Sequence, residues 1–171
     1  VTVHCPMLTG ELMASSLFGH RRGAFTGAVQ DAPGKVEEAE GGTLFLDEVG
    51  DLTADAQARL LRFLNDRSYE RVGDNSERKA DVRLIAATNR DLAAMAQAGT
   101  FRHDLLYRLN VVSLRVLSLR ERPEDVVPLA EYYLHVFSAR QGRSGLTLTE
   151  AALQAVQQHR WPGNLRELSN A

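Results

Sequence analysis

Apolar residues recur along this chain in two patterns, as short continuous runs and as longer stretches with helical spacing. The continuous runs predict strands at 1–5, 43–47, 68–72, 82–87 and 110–115. The helical spacing predicts helices at 11–18, 34–40, 53–66, 101–109, 125–140 and 149–160, and another from Asp91. Because strands alternate with helices as far as about residue 120 and only helices follow, we predict an α/β core at 1–120 and a helical subdomain at 121–171.

The charge balance and the single cysteine argue against several classes of protein. The 171 residues carry 20 basic and 22 acidic side chains, so no overall field attracts nucleic acid or an anionic membrane. Cys5 is the only cysteine, so neither an internal disulfide nor a multi-cysteine zinc site can form. The longest apolar run, 126–137, is too short to cross a bilayer, and the start lacks signal-peptide features. We expect a cytoplasmic protein with no membrane contact, and no DNA contact through these residues.

Two acidic residues, Asp47 and Glu48, end the apolar run that begins at Thr43. Ligands of parallel sheets bind at the carboxyl ends of the strands, which is where these acids are expected. Nucleotide hydrolysis needs one carboxylate that holds magnesium and a second that orients or deprotonates the attacking water. Asp47 suits the first role and Glu48 the second, although two acids at a strand end can also simply solvate a turn.

Polar side chains that could act on a phosphate follow in two further places. Asn89 ends the run at 82–87 and can position an attacking water, or it can cap the next helix. Arg102 and Arg108 are six residues apart on a short helix and point in different directions, which suits presentation to a neighbouring subunit. The alternative for Arg108 is an ion pair with Asp104, one helical turn earlier.

One more helix is predicted to begin near Asn164, and it carries a basic residue in its first turn. Asn164 and Glu167 have the spacing of a capping box, which accounts for both without any function. Arg166 lies in the first turn, where the helix dipole disfavours a cation unless an anion is near. A bound phosphate would supply that anion.

A loop flanked by glycines, Gly23–Ala24–Phe25–Thr26–Gly27–Ala28, presents a single aromatic residue. Such a loop is costly to order and buries little surface, which favours use on a partner. The alternative is a simple connection in which Phe25 packs back into the core.

The run from Ser16 to Ala28, SLFGHRRGAFTGA, closely resembles the signature of the bacterial enhancer-binding proteins. These are AAA+ ATPases that activate the sigma-54 form of RNA polymerase. Four later stretches resemble further motifs of that family, in the expected order: Walker B at 43–48, sensor I at 86–89, the arginine-finger segment at 101–109 and sensor II at 161–168. The resemblance implies a three-layer α/β AAA+ core of the P-loop type with a parallel sheet, followed by the start of an all-helical lid.

The resemblance also implies ATP and Mg as cofactors, and a homo-oligomeric ring, a hexamer or heptamer, that acts on the sigma-54 RNA polymerase holoenzyme. DNA would be bound only through a domain outside this chain. The implied roles are magnesium binding through water for Asp47 and activation of water for Glu48. Nucleotide binding is implied for Thr88, Asn89 and Arg166, and hydrolysis in the neighbouring subunit for Arg102 and Arg108. The residues that would contact sigma-54 are Gly23, Ala24, Phe25, Thr26, Gly27 and Ala28.

The chain departs from the family pattern in three places. No G-x-x-x-x-G-K-[ST] run occurs, so the first strand and the phosphate loop are missing; we expect a piece of a larger protein that binds ATP poorly and is inactive by itself. His4 stands where relatives carry an Asn that links the catalytic Glu to the loop, and His4 can hydrogen-bond Glu48. Ala14 and Ser16 stand where acids are usual.

Two other functions stay open at this point. One is an AAA+ motor that acts on a different substrate, such as a helicase or an unfoldase. The other is a regulatory binding scaffold that does not hydrolyse ATP, for which a degraded acid pair or lost arginines would be expected. This sequence keeps Asp47, Glu48, Arg102 and Arg108, which argues against the scaffold.

Overall fold

The computed structural model describes residues 1–7, 10–143 and 145–171, which form two compact units, 1–113 and 114–171. The strands of the first unit are β1 (Thr2–His4), β2 (Thr43–Asp47), β3 (Ser68–Tyr69), β4 (Arg78–Lys79) and β5 (Arg83–Ala87). Its helices are α1 (Glu11–Phe18), α2 (Lys35–Glu38), α3 (Ala54–Asp66), α4 (Leu92–Gln97) and α5 (His103–Leu109). The described part of the chain contains no helix long and apolar enough to cross a membrane.

The main sheet of the first unit is parallel, with the strand order β1–β2–β5. Its register aligns His4 with Asp47, and Asp47 with Ala87. The three strands therefore end at one edge of the sheet, and the residues that follow each strand meet there. This confirms the α/β fold with a parallel sheet that the sequence predicts.

Helix α3 shows how the apolar pattern builds the core of this unit. The Thr53 hydroxyl accepts a hydrogen bond from the Ala56 N–H and caps the helix, as predicted. Leu60 and Phe63 lie one turn apart on the buried face and pack among the residues of the core. In β2, Leu44 and Leu46 are also fully buried, so helix and sheet share one apolar layer.

The short antiparallel pair β3–β4 flanks a polar loop whose charges are less solvated than the sequence suggests. Arg71 lies largely buried after β3, and its guanidinium donates two hydrogen bonds to the Glu37 carboxylate, over 3.1 and 2.8 Å. Arg71 is therefore not a solvated surface charge. An ion pair with α2 holds it against the protein instead.

The predicted strand at 110–115 does not form. Val111, Val112 and Leu114 lie in irregular backbone and are 76%, 78% and 88% exposed. A strand needs a neighbouring strand to complete its hydrogen bonds, and no described strand pairs with this run. The prediction came from β-branched composition alone, which cannot report whether a pairing partner is present.

The second unit contains helices α6 (Val126–Arg140), α7 (Glu150–Gln158) and α8 (Asn164–Leu168), preceded by 3₁₀ turns at Leu119–Glu121 and Pro123–Asp125. Its own core consists of Leu119, Val126, Ala130, Trp161 and Leu168. This all-helical composition confirms the change from strands and helices to helices alone.

The capping box predicted between Asn164 and Glu167 does not form, because Asn164 lies inside α8 and not at its cap. Glu167 does accept a hydrogen bond from the Gly163 N–H, over 2.8 Å. The Asn164 side chain instead accepts one from the Leu119 N–H, over 2.8 Å, and so joins α8 to the first 3₁₀ turn of this unit. A complete capping box occurs elsewhere, between Ser118 and Glu121.

Candidate functional site

The carboxyl edge of the parallel sheet brings together five polar residues from three strands that are far apart in the sequence. The residues are His4 at the end of β1, Asp47 at the end of β2 with Glu48 after it, and Thr88 and Asn89 after β5. Four of them are the residues that the sequence singles out for phosphate and magnesium chemistry. The parallel register alone puts them at one edge, as expected for such sheets.

Glu48 has a left-handed backbone conformation, with φ 58° and ψ 53°. This conformation is uncommon for a residue other than glycine, and residues that are strained in this way cluster at active sites. It turns the chain abruptly from β2 into the 3₁₀ turn Val49–Asp51. Glu48 Oε2 then accepts a hydrogen bond from the Asn89 N–H, over 3.1 Å, which fixes the carboxylate beside the end of β5.

His4 contacts Asp47 rather than Glu48. The distance between His4 Nδ1 and Asp47 Oδ2 is 2.8 Å, and both side chains are about half exposed. The structure therefore assigns His4 a different partner from the one that the sequence suggests. The reason is the register, which sets His4 directly beside Asp47 in the neighbouring strand.

A glycine allows the two loops at this edge to approach each other closely. A side chain at Gly50 would begin 3.2 Å from Thr88 Oγ1, which is closer than most such contacts. Thr88 Oγ1 also accepts a hydrogen bond from the Arg90 N–H, over 3.1 Å, and Arg90 forms an ion pair with Asp51. The segments after β2 and β5 are therefore held together at several points.

The donor set of this edge suits magnesium held mainly by water and phosphate. Within residues 1–7, 10–143 and 145–171, no cluster of three or more His, Cys, Asp or Glu side chains could hold a metal by itself. Magnesium in nucleotide sites uses one or two carboxylates and completes its shell with water and phosphate oxygens. The adjacent carboxylates of Asp47 and Glu48, and the His4 contact that engages only Asp47 Oδ2, fit that kind of site.

The two arginines of the 101–109 segment make different contacts. Arg102 precedes α5, and its exposed guanidinium donates to both oxygens of Asp104, over 2.9 and 2.7 Å. Arg108 lies in the last turn of α5 and donates to the Leu64 carbonyl at the end of α3. The ion pair suggested between Arg108 and Asp104 is therefore wrong, because Asp104 pairs with Arg102.

The loop at 23–28 is closed on itself by hydrogen bonds. The Gly23 N–H donates to the Ala28 carbonyl over 2.8 Å, and the Ala28 N–H donates to the Phe25 carbonyl over 3.0 Å. Gly23 and Gly27 have φ 81° and 102°, a range that favours glycine. Ala24 lies between the turn residues, Thr26 is exposed at the tip, and Ala28 is buried at the base.

The Phe25 ring is neither free in solvent nor in the core. It is half-buried and packs edge-on against the His20 imidazole, with the ring centroids 5.0 Å apart. His20 Nδ1 in turn lies 2.7 Å from the Ser15 hydroxyl. The alternative in which Phe25 packs back into the core is therefore wrong, because the ring rests against His20 beside its own loop.

Arg166 belongs to the second unit, where it is exposed on α8. It is therefore not one of the residues at the strand ends.

The sequence analysis missed one residue of the first unit, Gln57. Its buried amide contacts the segment that follows Glu48 and the segment that precedes α5. The signal available for it was a polar residue on the apolar face of α3.

The parallel core with acids and an amide at its carboxyl edge, followed by a helical unit, defines the AAA+ class. Residues 1–115 match the family model described as the Sigma-54 interaction domain, and residues 120–171 match the AAA+ ATPase lid domain. The chain therefore belongs to the Sigma-54 interaction domain family of transcriptional activators.

Its curated relatives are bacterial transcriptional regulators. The chain is 58% identical, over 170 residues, to the alginate biosynthesis transcriptional regulatory protein AlgB of Pseudomonas aeruginosa. The matched residues make up 99% of this chain and 38% of AlgB. The chain is 51% identical, over 171 residues, to the transcriptional regulatory protein ZraR of Escherichia coli K12, and covers 39% of ZraR. The chain thus spans less than two fifths of the length of these relatives.

Solved structures show the same fold. NtrX from Brucella abortus in complex with ADP is 39% identical and superposes with a TM-score of 0.90, over 99% of this chain and 37% of NtrX. NtrX in complex with ATP also gives a TM-score of 0.90, over 99% of this chain and 36% of NtrX.

Proposed function

We propose that the full-length protein hydrolyses ATP at the subunit interfaces of a homo-oligomeric ring, a hexamer or heptamer, and uses the energy to remodel the sigma-54 RNA polymerase holoenzyme. The observation that carries this proposal is the hydrogen bond from the Asn89 N–H to Glu48 Oε2, beside Asp47, at the carboxyl edge of the sheet. Family membership and the nucleotide complexes of NtrX support it.

The acids and the amide divide the work of hydrolysis. Asp47, oriented by its contact with His4, would hold Mg²⁺ through water. When bound, Mg²⁺ neutralises charge that develops on the phosphates. Glu48, held by the Asn89 N–H, accepts the proton of the attacking water, while Thr88 and the Asn89 amide face the γ-phosphate.

The remaining basic residues act on nucleotide, two of them on that of the neighbouring subunit. Arg102 and Arg108 reach the nucleotide of the neighbouring subunit, where an arginine finger contributes about 10³ to 10⁵ in rate. For Arg102 this requires release from Asp104, which an incoming phosphate can displace because the pair is exposed. Arg166 contacts the nucleotide from the lid.

The loop at 23–28 carries the work to sigma-54 through Phe25 and Thr26. Leaving its resting position costs the half-buried Phe25 ring its edge-on contact with His20. The loop is closed by its own hydrogen bonds, so it can move as one piece about its base. A loop of this kind suits a part that is extended and retracted in each cycle of hydrolysis.

ATP turnover measured against protein concentration tests the ring. Turnover per chain of the full-length protein should rise with concentration and collapse in Arg102→Ala and in Arg108→Ala. Arg143→Ala, in an exposed turn after α6, is the control and should behave as wild type. Absent or concentration-independent turnover would contradict hydrolysis at subunit interfaces and favour the non-hydrolysing scaffold.

A second measurement tests the substrate. Phe25→Ala should keep ATP turnover and lose sigma-54-dependent transcription from a supercoiled template. Val29→Ala, an exposed apolar residue just outside the loop, is the matched control. If Phe25→Ala activates this transcription normally, Phe25 does not carry the contact with sigma-54; if the wild-type protein itself does not activate it, the motor acts on another substrate.

A further inference from the structure

Gln57 is a buried amide on the apolar face of helix α3. It is 2% exposed and lies beside Ala56 and one turn before Leu60, both part of the core. A buried amide costs free energy unless its polar atoms find partners, and an apolar residue of the same length would pack here without that cost. The position therefore calls for a reason beyond packing.

The amide of Gln57 is fully engaged with backbone groups from two separate segments. Its Nε2 donates to the Leu52 carbonyl over 2.9 Å and to the Thr100 carbonyl over 3.2 Å. Its Oε1 accepts the Arg102 N–H over 2.9 Å. Leu52 lies four residues after Glu48, so one side chain ties the segment behind the catalytic acid to the segment that carries Arg102.

The contact with Arg102 matters because it anchors the backbone from which the arginine side chain projects. The Arg102 side chain is exposed and its guanidinium contacts Asp104, two residues along its own segment. Its backbone N–H, by contrast, is anchored to the core through Gln57. The Gln57 amide therefore helps to set the position from which the Arg102 side chain starts, together with the Leu106 N–H that donates to the Arg102 carbonyl over 3.1 Å.

The same helix also holds the second arginine. The Leu64 carbonyl, two turns after Gln57 on α3, accepts hydrogen bonds from Arg108 over 3.0 and 3.3 Å. Helix α3 thus contacts Arg102 near its start and Arg108 near its end. Gln57 contacts the backbone N–H of its arginine, whereas Leu64 contacts the guanidinium of Arg108. The Gln57 contact therefore persists when the guanidinium groups turn toward another chain.

We infer that Gln57 is a positioning residue for Arg102, which sets the reach of this arginine into the neighbouring subunit's site. The inference rests on the proposed function, since it assumes that Arg102 acts across the interface. It assigns Gln57 to the subunit that donates the arginine, and not to the subunit that hydrolyses the nucleotide. That assignment is what an experiment can separate from a purely structural role.

The test uses mixed rings of the full-length protein. Gln57→Met keeps the length and apolar packing of the side chain and removes its hydrogen bonds, and Asn65→Met, at an exposed position of the same helix, is the matched control. Alone, Gln57→Met should lower kcat for ATP by about 10- to 100-fold, as displaced catalytic groups do. KM should stay close to wild type, and Asn65→Met should leave both unchanged.

Mixing then identifies the subunit in which Gln57 acts. Gln57→Met mixed with Glu48→Gln should recover turnover, because Glu48→Gln subunits supply an intact Arg102 to sites that keep Glu48. Gln57→Met mixed with Arg102→Ala should not recover, because neither subunit supplies the arginine correctly. The reverse pattern, recovery with Arg102→Ala only, would overturn the inference and place Gln57 in the hydrolysing site.

Other outcomes are equally decisive. Wild-type turnover of Gln57→Met overturns the inference, and so does a loss that accompanies a fall in Tm or in ring assembly and is not rescued by Glu48→Gln. The mixture of Glu48→Gln with Arg102→Ala controls for the proposed function itself. If that mixture stays inactive, the proposed function fails and this inference with it; if it recovers while Gln57→Met with Glu48→Gln does not, only the inference fails.

Discussion

Glu48 and Asn89 lie 41 residues apart in the sequence, and the Asn89 N–H donates to Glu48 Oε2 over 3.1 Å. Two features bring them together: the parallel pairing of β2 with β5, and the left-handed backbone of Glu48. This hydrogen bond engages Oε2, so the role of base that we propose for Glu48 falls to its other carboxylate oxygen, Oε1. The geometry suits a general base that remains in place between cycles.

Replacing Glu48 by Gln should separate nucleotide binding from hydrolysis. The amide keeps the size of the side chain and can still accept from the Asn89 N–H, but it cannot take a proton from water. We expect ATP turnover of the full-length protein to fall by about 10²- to 10⁴-fold, the usual contribution of a general base. ATP affinity, measured by calorimetry, should stay close to wild type. Glu131→Gln, on the exposed surface of α6, is the control. If Glu48→Gln keeps more than a tenth of wild-type turnover, Glu48 is not the general base.

Adding a side chain at Gly73 should disturb the loop at 23–28 without touching the sheet edge. Gly73 has φ 77°, and a Cβ there would lie 2.7 Å from the Ala24 Cβ. Gly73→Ala should therefore shift the base of the loop and lower sigma-54-dependent transcription while ATP turnover persists. Gly142→Ala, with φ 69° and open space around it, carries the same backbone strain without the clash. Equal transcription in both variants would show that loop placement tolerates this displacement.

The Glu37–Arg71 ion pair should make stability depend on pH in the acid range. Hydrogen bonds from the Arg71 guanidinium hold the pKa of Glu37 below its usual value of 4.5. The pair therefore stabilises the fold above pH 4.5, and its contribution is lost as pH falls through the lowered pKa of the folded state.

Glu37→Gln should remove this part of the acid dependence. The difference in unfolding free energy between wild type and Glu37→Gln should be about 1 kcal/mol near neutral pH and shrink toward pH 3, since the carboxylate is partly open to solvent. Urea titrations at several pH values measure both. A difference that grows as pH falls would contradict the assigned direction of the pKa shift.

The only cysteine should be unreactive in the folded protein. Cys5 is fully buried directly after β1, and burial, with the nearby Asp47 carboxylate, raises the pKa of its thiol to about 11. Because the thiolate is the reactive form, a thiol-specific reagent at pH 8 should label Cys5 slowly until denaturant is added. Fast labelling without denaturant would mean that this strand end opens readily.

Many local elements of this protein follow from the sequence alone, because short-range patterns decide them. The helix 11–18 is found where it was predicted, and Thr53 caps α3, since helical spacing and capping depend on residues within a few positions. The acids after β2 and the amide after β5 were found in the same way. Parallel strands then bring such residues to a common edge.

Only the tertiary structure decided which of these residues touch. The strand register places His4 beside Asp47, Asp104 pairs with Arg102, and Asn164 bonds to Leu119. The run at 110–115 stays out of the sheet because no described strand pairs with it. Each of these outcomes depends on partners that are remote in sequence or compete for one group. Sequence by itself determined the family, most of the helices and the candidate residues of this protein; the packing of distant segments determined their partners and which apolar runs became strands, because hydrogen bonds and strand pairs form between neighbours in space.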